Sequence, residues 1–185
     1  SNRGVSKAKM LDFTGAISDY SKAIGLEPQF INAYYCRGNS KAVMLDFPSA
    51  ISDYSKVIEL DTGFVMAYSN RANAKAAMLD YEGAILDNSK AIELNPKFAL
   101  AYSNRCNVKT LVQDYLDAIS DCTIAIELEP KFTNAFYNRG MAKFNMQDYW
   151  GAISDYSKAI ELDPKFALAY SKRSKAKNSI QDYPG

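Results

Sequence analysis

Apolar positions along this chain recur at helical rather than strand spacing, within one motif copied end to end. Residues 65–98 show it well. In the first half, Ala67, Tyr68, Ala72, Met78 and Leu79 are the apolar points, which predicts a helix over 65–79. Asp80 then stands where a helix N-cap belongs, ahead of Tyr81-Glu82-Gly83. A second apolar stripe follows at Ala84, Ile85, Ala91, Ile92 and Leu94, and Asn95-Pro96 ends it. Pro48 and Pro184 fall two residues after the equivalent Asp46 and Asp182. That is a first helical turn, where proline is tolerated because the N–H groups lack partners anyway. Each motif reads helix, short turn, helix, short turn.

The period is fixed by the arginines. All six, Arg3, Arg37, Arg71, Arg105, Arg139 and Arg173, stand 34 residues apart. An alanine followed by an aromatic ring keeps the same step, from Ala33-Tyr34 to Ala169-Tyr170. So do Ala-Ile pairs such as Ala50-Ile51, and prolines such as Pro96 and Pro130. The chain holds about five and a half copies: 1–30 in part, 31–64, 65–98, 99–132, 133–166, and 167–185 in part. It is expected to form one array over 1–185. Ser1-Asn2-Arg3 matches Ser69-Asn70-Arg71, and Pro184-Gly185 falls where the next helix belongs, so the expectation is a fragment of a longer array. The alternative is natural half-repeat ends, with Lys172, Arg173, Lys175 and Lys177 as a polar cap.

The copies also act as a mutation series. Gly4, Gly38 and Gly140 follow their arginines and go with Tyr20, Tyr54 and Tyr156, 16 residues on. Ala72 goes with Asn88, and Cys106 with Cys122. Where the first helix lacks a side chain, the second brings a ring. Such volume compensation predicts two antiparallel helices that touch at this position.

The 34-residue period, the Asp-Tyr or Asp-Phe turn, the Ala-Ile column and the closing proline resemble the tetratricopeptide repeat. The resemblance covers the whole chain. It implies an all-α fold, a right-handed α-solenoid of antiparallel helix-turn-helix repeats, whose first helices line a concave groove. Two columns depart from the family's commonest pattern. Arginine replaces a large apolar residue, and Lys7, Lys41, Lys75, Lys109, Lys143 and Lys177 replace tyrosine. Asp19, Asp53, Asp87, Asp121 and Asp155 lie 16 residues after the arginines, so a ladder of Arg–Asp pairs is expected, within a repeat or between neighbours. Exposed pairs of this kind add only ~0–1 kcal/mol each.

Composition narrows the function. With 22 basic and 21 acidic residues and a net charge of +1, no electrostatic field favours nucleic acid. No apolar run approaches a membrane span, and a cytoplasmic location is expected. The chain has no histidine, the commonest general base and metal ligand. Cys36, Cys106 and Cys122 lack zinc-site spacing, and the glycines form no phosphate loop. The reading is of a non-enzyme with no cofactor and no metal. Cys106 and Cys122 are expected to be neighbours, as a buried reduced pair, with a disulfide as the alternative.

The first helix of 65–98 leaves Met66, Ser69, Asn70, Asn73 and Ala77 on one face, away from the packed residues. Down the array these columns read Asn2, Cys36, Asn70, Asn104, Asn138, Lys172 and Val5, Asn39, Asn73, Asn107, Met141, Lys175. Asparagine both donates and accepts, so such a row can bond the main chain of an extended peptide. In columns alone it is similar to the asparagine ladders of armadillo-type importins. The alternative is a solvated polar face. Tyr35, Tyr137, Met141 and Phe144 would add apolar anchors, or fill gaps between repeats. The two-carboxylate clamp of repeat co-chaperones needs groove lysines and an arginine that these columns lack until Lys172. The expected function is a scaffold for protein–protein interaction, holding a peptide or partner helix. The other readings are the substrate-recruiting arm of a larger enzyme and end-to-end self-association.

Overall fold

The computed structural model describes residues 12–182. Asn2, Arg3, Gly4, Val5, Lys7 and Pro184 of the columns above lie outside the described residues. The described residues form ten helices in two compact units. The first unit, Ser1–Asn95, holds α1 (Phe13–Leu26), α2 (Ile31–Val43), α3 (Phe47–Leu60), α4 (Val65–Ala77) and α5 (Tyr81–Leu94). The second, Pro96–Gly185, holds α6 (Ala99–Leu111), α7 (Tyr115–Leu128), α8 (Thr133–Asn145), α9 (Tyr149–Leu162) and α10 (Ala167–Asp182). In each unit, consecutive helices pack side by side.

The turn inside each repeat is tighter than its apolar pattern suggested. Helix α4 ends at Ala77 rather than Leu79, because Leu79 turns left-handed with φ 65°. Its N–H donates to Ala76 O at 3.0 Å, and Asp80 N–H reaches back to Lys75 O at 3.0 Å. That closes the helix as a Schellman motif. Asp80 then caps α5, its Oδ1 accepting Gly83 N–H at 2.9 Å. One residue thus ends one helix and starts the next. Leu45, Gln113 and Gln147 repeat the left-handed turn without glycine, a conformation most side chains avoid.

The two helices of a repeat meet where the volume argument places them. A Cβ on Gly38 would stand 2.8 Å from Cε1 of Tyr54, and one on Gly140 2.7 Å from Cε1 of Tyr156. Only glycine admits the ring. Ala72 and Asn88 are both fully buried in the α4–α5 pair. The expectation of a reduced cysteine pair is corrected. Cys106 and Cys122 are joined in a disulfide, with Cα atoms 5.5 Å apart across the α6–α7 contact. The register that brings Gly38 against Tyr54 brings the two Cβ atoms within bonding reach.

The arginines bind within their own repeat. Arg71 Nε and Nη2 donate to the two carboxylate oxygens of Asp87 at 2.8 and 2.7 Å, a bidentate pair. Arg37–Asp53, Arg105–Asp121 and Arg139–Asp155 repeat it. In Arg37, Arg71 and Arg139 the remaining nitrogen reaches the preceding repeat, as in Arg71 Nη1 to Ser55 Oγ at 3.0 Å and Arg139 Nη1 to Thr123 Oγ1 at 3.1 Å. Each guanidinium also lies over the ring three residues earlier, 5.7 Å from Tyr68 in the case of Arg71. The lysine column joins the same carboxylates, with Lys75 Nζ 2.8 Å from Asp87 Oδ2. These groups are not the exposed pairs expected: the Asp87 side chain is 7% exposed and that of Arg71 18%. The bond to Asp121 raises the pKa of Arg105 further.

Two outcomes are expected. Asn88→Tyr alone sets a ring against the Ala72 methyl and costs about 1–3 kcal/mol, whereas adding Ala72→Gly restores the fit. Urea unfolding of both single variants and the double variant measures the coupling, and additive effects would contradict the contact. Burial pushes the Tyr20 hydroxyl up to about 12 and also raises those of Tyr54 and Tyr156. A pKa raised on folding favours the folded state fully below the unfolded value of about 10, and that contribution is lost as pH rises through the folded value. Tyrosinate absorbance is therefore expected in two stages, the second coincident with loss of helical circular dichroism. A single stage near pH ~10 with the helices intact would oppose this.

Candidate functional site

The candidate surface is the face of the first helices: α2 and α4 in the first unit, and α6, α8 and α10 in the second. Its residues divide into those that hold the helices together and those left to solvent.

Asn70 belongs to the first group. Its Nδ2 donates to Asn39 Oδ1 at 2.9 Å and to the Tyr35 hydroxyl at 3.1 Å. Asn39 Oδ1 also accepts the Tyr54 hydroxyl at 2.8 Å. Four polar side chains of α2, α3 and α4 thus satisfy one another. Asn138 does the same in the second unit, its Nδ2 donating to the Ser103 carbonyl and Oγ, each at 3.2 Å. Asn104 is half-buried and also engaged. Ser69, expected on the open stripe, is fully buried, as is Ser103. The amide of the following repeat covers Ser103, and only a small side chain fits beneath it.

The aromatic residues fill the packing. Tyr35 lies 5.0 Å from the Phe64 ring and 6.2 Å from Tyr54. Tyr137 lies 4.9 Å from Phe166 and 5.9 Å from Tyr156, and burial raises the pKa of its hydroxyl. Met141 packs against the cluster of Ala152, Tyr156 and Ala176. Lys175 sits with Nζ 5.4 Å from the Phe144 ring centre, while Lys172 is half-buried. Asn73 is exposed and Asn107 half-exposed.

In the first unit, a cavity of about 300 Å³ opens between α2 and α4 with α3 as its floor. Ala42, Val43, Phe47 and Ala74 make its apolar wall. Asn39, Tyr54, Asn70 and Asn73 make its polar wall. Sequence reasoning named the asparagines but missed the apolar wall and the carboxylate-binding lysines. The one signal for the lysines is that Lys41 and Asp53 recur at the same step, which does not by itself say that they meet. Among the described residues, no group of three or more Cys, Asp or Glu is placed to hold a metal ion, and no helix is long and apolar enough to cross a membrane.

Stacked helix pairs with a mixed polar and apolar first-helix face define a helical-repeat protein of the interaction-module kind. The family model for the tetratricopeptide repeat matches residues 133–166. That match covers one repeat, and the chain as a whole is similar in fold to solved tetratricopeptide-repeat proteins. The crystal structure of MamA is 27% identical, with TM-score 0.77, over 89% of this chain and 96% of that one. The structure of YrrB, described as a TPR protein with an unusual peptide-binding site, is 21% identical, with TM-score 0.73, over 94% of this chain and 89% of that one. The first TPR of Spaghetti (RPAP3), bound to the HSP90 peptide SRMEEVD, is 25% identical, with TM-score 0.61, over 63% of this chain and 93% of that one. No curated protein matches the chain.

Asn70→Ala is expected to lower the unfolding free energy by about 1–2 kcal/mol, because it strips bonds from Asn39 and Tyr35. Asn73→Ala is expected to change it by less than ~0.5 kcal/mol, as for other exposed sites. Equal losses in urea unfolding would contradict this division of the asparagines.

Proposed function

We propose that this protein is an interaction scaffold that holds an extended peptide against its first-helix face. The observation that carries the reading is the exposed Asn73 amide, on the rim of an open cavity where Asn39, Asn70 and Tyr54 bond one another. An asparagine there offers both a donor and an acceptor to a peptide main chain. Asn107 offers the same pair of groups in the second unit. The bound peptide of the Spaghetti domain, which is similar in fold, supports the choice of ligand. The unbroken arginine column supports reading 1–185 as one repeat array. The disulfide suits an oxidising compartment better than the cytoplasm expected from composition.

Asn70 and Asn138 make poor probes of binding, because their amides are already engaged, and Asn104 has an interaction of its own. Asn73 is the better one. Peptides selected by display of a random library on the whole chain are expected to bind Asn73→Ala about tenfold more weakly, equivalent to about 1.4 kcal/mol. Isothermal titration checks it. Undiminished affinity for the variant would remove this face from the binding site.

A further inference from the structure

We infer that the cavity between α2 and α4 is a side-chain subsite that selects an apolar residue of methionine, leucine or phenylalanine type in the bound peptide. The inference rests on the peptide-binding reading above and deepens it. The repeats themselves supply the argument, because the same place in the second unit carries its own filling.

Counting 102 residues on, three repeats, maps Tyr54 onto Tyr156, Ala74 onto Ala176 and Tyr35 onto Tyr137. The buried centres of the surrounding clusters correspond residue for residue. Ala50, Tyr54 and Ala74 pack with Tyr35 and Ile51 in the first unit; Ala152, Tyr156 and Ala176 pack with Tyr137 and Ile153 in the second. Two columns differ. Asn39 corresponds to Met141, and Ala42 to Phe144. In the second unit Met141 and Phe144 pack into that cluster, and Phe144 lies 5.4 Å from the Tyr149 ring. In the first unit their places are taken by a methyl and a short amide, and a cavity of about 300 Å³ remains. This space between two first helices is one that the fold closes, where it closes it, with a thioether and a ring.

The chemistry of the walls agrees. All eight lining residues are neutral. The nearby charges are already matched: Arg37 and Lys41 hold Asp53, while Arg71 and Lys75 hold Asp87. Nothing is left to compensate a charged side chain for lost water. Asn39 Oδ1, Asn70 Nδ2 and the Tyr54 hydroxyl are spent on one another, which leaves fewer groups for a polar side chain. Val43 stands at the mouth with 60% of its surface exposed, apolar area that a ligand would cover. The volume lies at the lower end of small-molecule sites, which begin near ~300 Å³. It suits one side chain rather than a cofactor. Asn73, on the rim, remains for the main chain on either side of the inserted residue.

The test uses peptides selected from a random display library on the whole chain. Selected sequences are expected to share an apolar residue at one fixed position. Its replacement by alanine weakens binding to the wild type at least about tenfold, as expected for loss of one buried apolar side chain. Ala42→Phe, which copies Phe144, is expected to weaken the parent peptide similarly and to make the alanine replacement nearly neutral. Ala74→Leu fills the cavity from the opposite wall and serves if Ala42→Phe loses its helical signal on heating. Alanine replacements that cost the same on the wild type and on the filled variant would overturn the subsite, and so would selection without a fixed apolar position. If Asn73→Ala still weakens those peptides, only the subsite falls. If neither Asn73→Ala nor the filled variants change affinity, or if the library yields no binder, the peptide-binding reading falls and the subsite with it.

Discussion

The buried carboxylate shared by an arginine and a lysine is the interaction on which the rest of this structure depends. In each of four repeats, one aspartate on the second helix receives a bidentate guanidinium and an ammonium from the first. In three of them, those of Arg37, Arg71 and Arg139, the guanidinium keeps a third contact for a hydroxyl of the preceding repeat. One side chain therefore fixes the pairing within a repeat and its stacking on the one before. Ion pairs this dry are poor net stabilisers next to an apolar alternative, but removing one member is costly. That asymmetry suits a repeat built mainly on alanine. The core around these clusters consists largely of Ala16, Ala50, Ala84, Ala118 and Ala152 and their like, which bury little area each but let helices approach closely.

Close approach then governs what the surface can do. With first helices near one another, Asn70 and Asn138 reach back to the previous repeat, and Ser103 is covered. The polar row is partly structural. What remains open depends on volume, column by column. Met141 and Phe144 pack into the space in one unit, and Asn39 and Ala42 leave it in the other. Where Met141 replaces Asn39, the Tyr156 hydroxyl is buried without a partner, whereas Tyr54 keeps one.

Much of this was legible in the chain. The 34-residue step gave the helix pairs, the aspartate caps and the arginine–aspartate pairing, because each depends on spacing within one repeat. The contact of Gly38 with Tyr54 was legible for the same reason. Other features were not. Whether Asn70 faces solvent depends on the distance between successive first helices, which spacing along one helix does not contain. The lysine column replaces tyrosine, and its spacing alone does not show that its nitrogens meet Asp53 and Asp87. The state of Cys106 and Cys122 depends on oxidation as well as geometry, so their columns gave only proximity.

The most direct measurement is the unfolding free energy of Asp87→Asn beside that of Lys56→Ala. Asparagine keeps the shape of Asp87 but leaves Arg71 and Lys75 facing one another without a counter-charge, whereas Lys56 makes only a surface pair with Glu59. A loss of about 3–5 kcal/mol for Asp87→Asn, with Lys56→Ala unfolding as the wild type does, is the result predicted. Losses of equal size would contradict the shared carboxylate as the element that holds these repeats together.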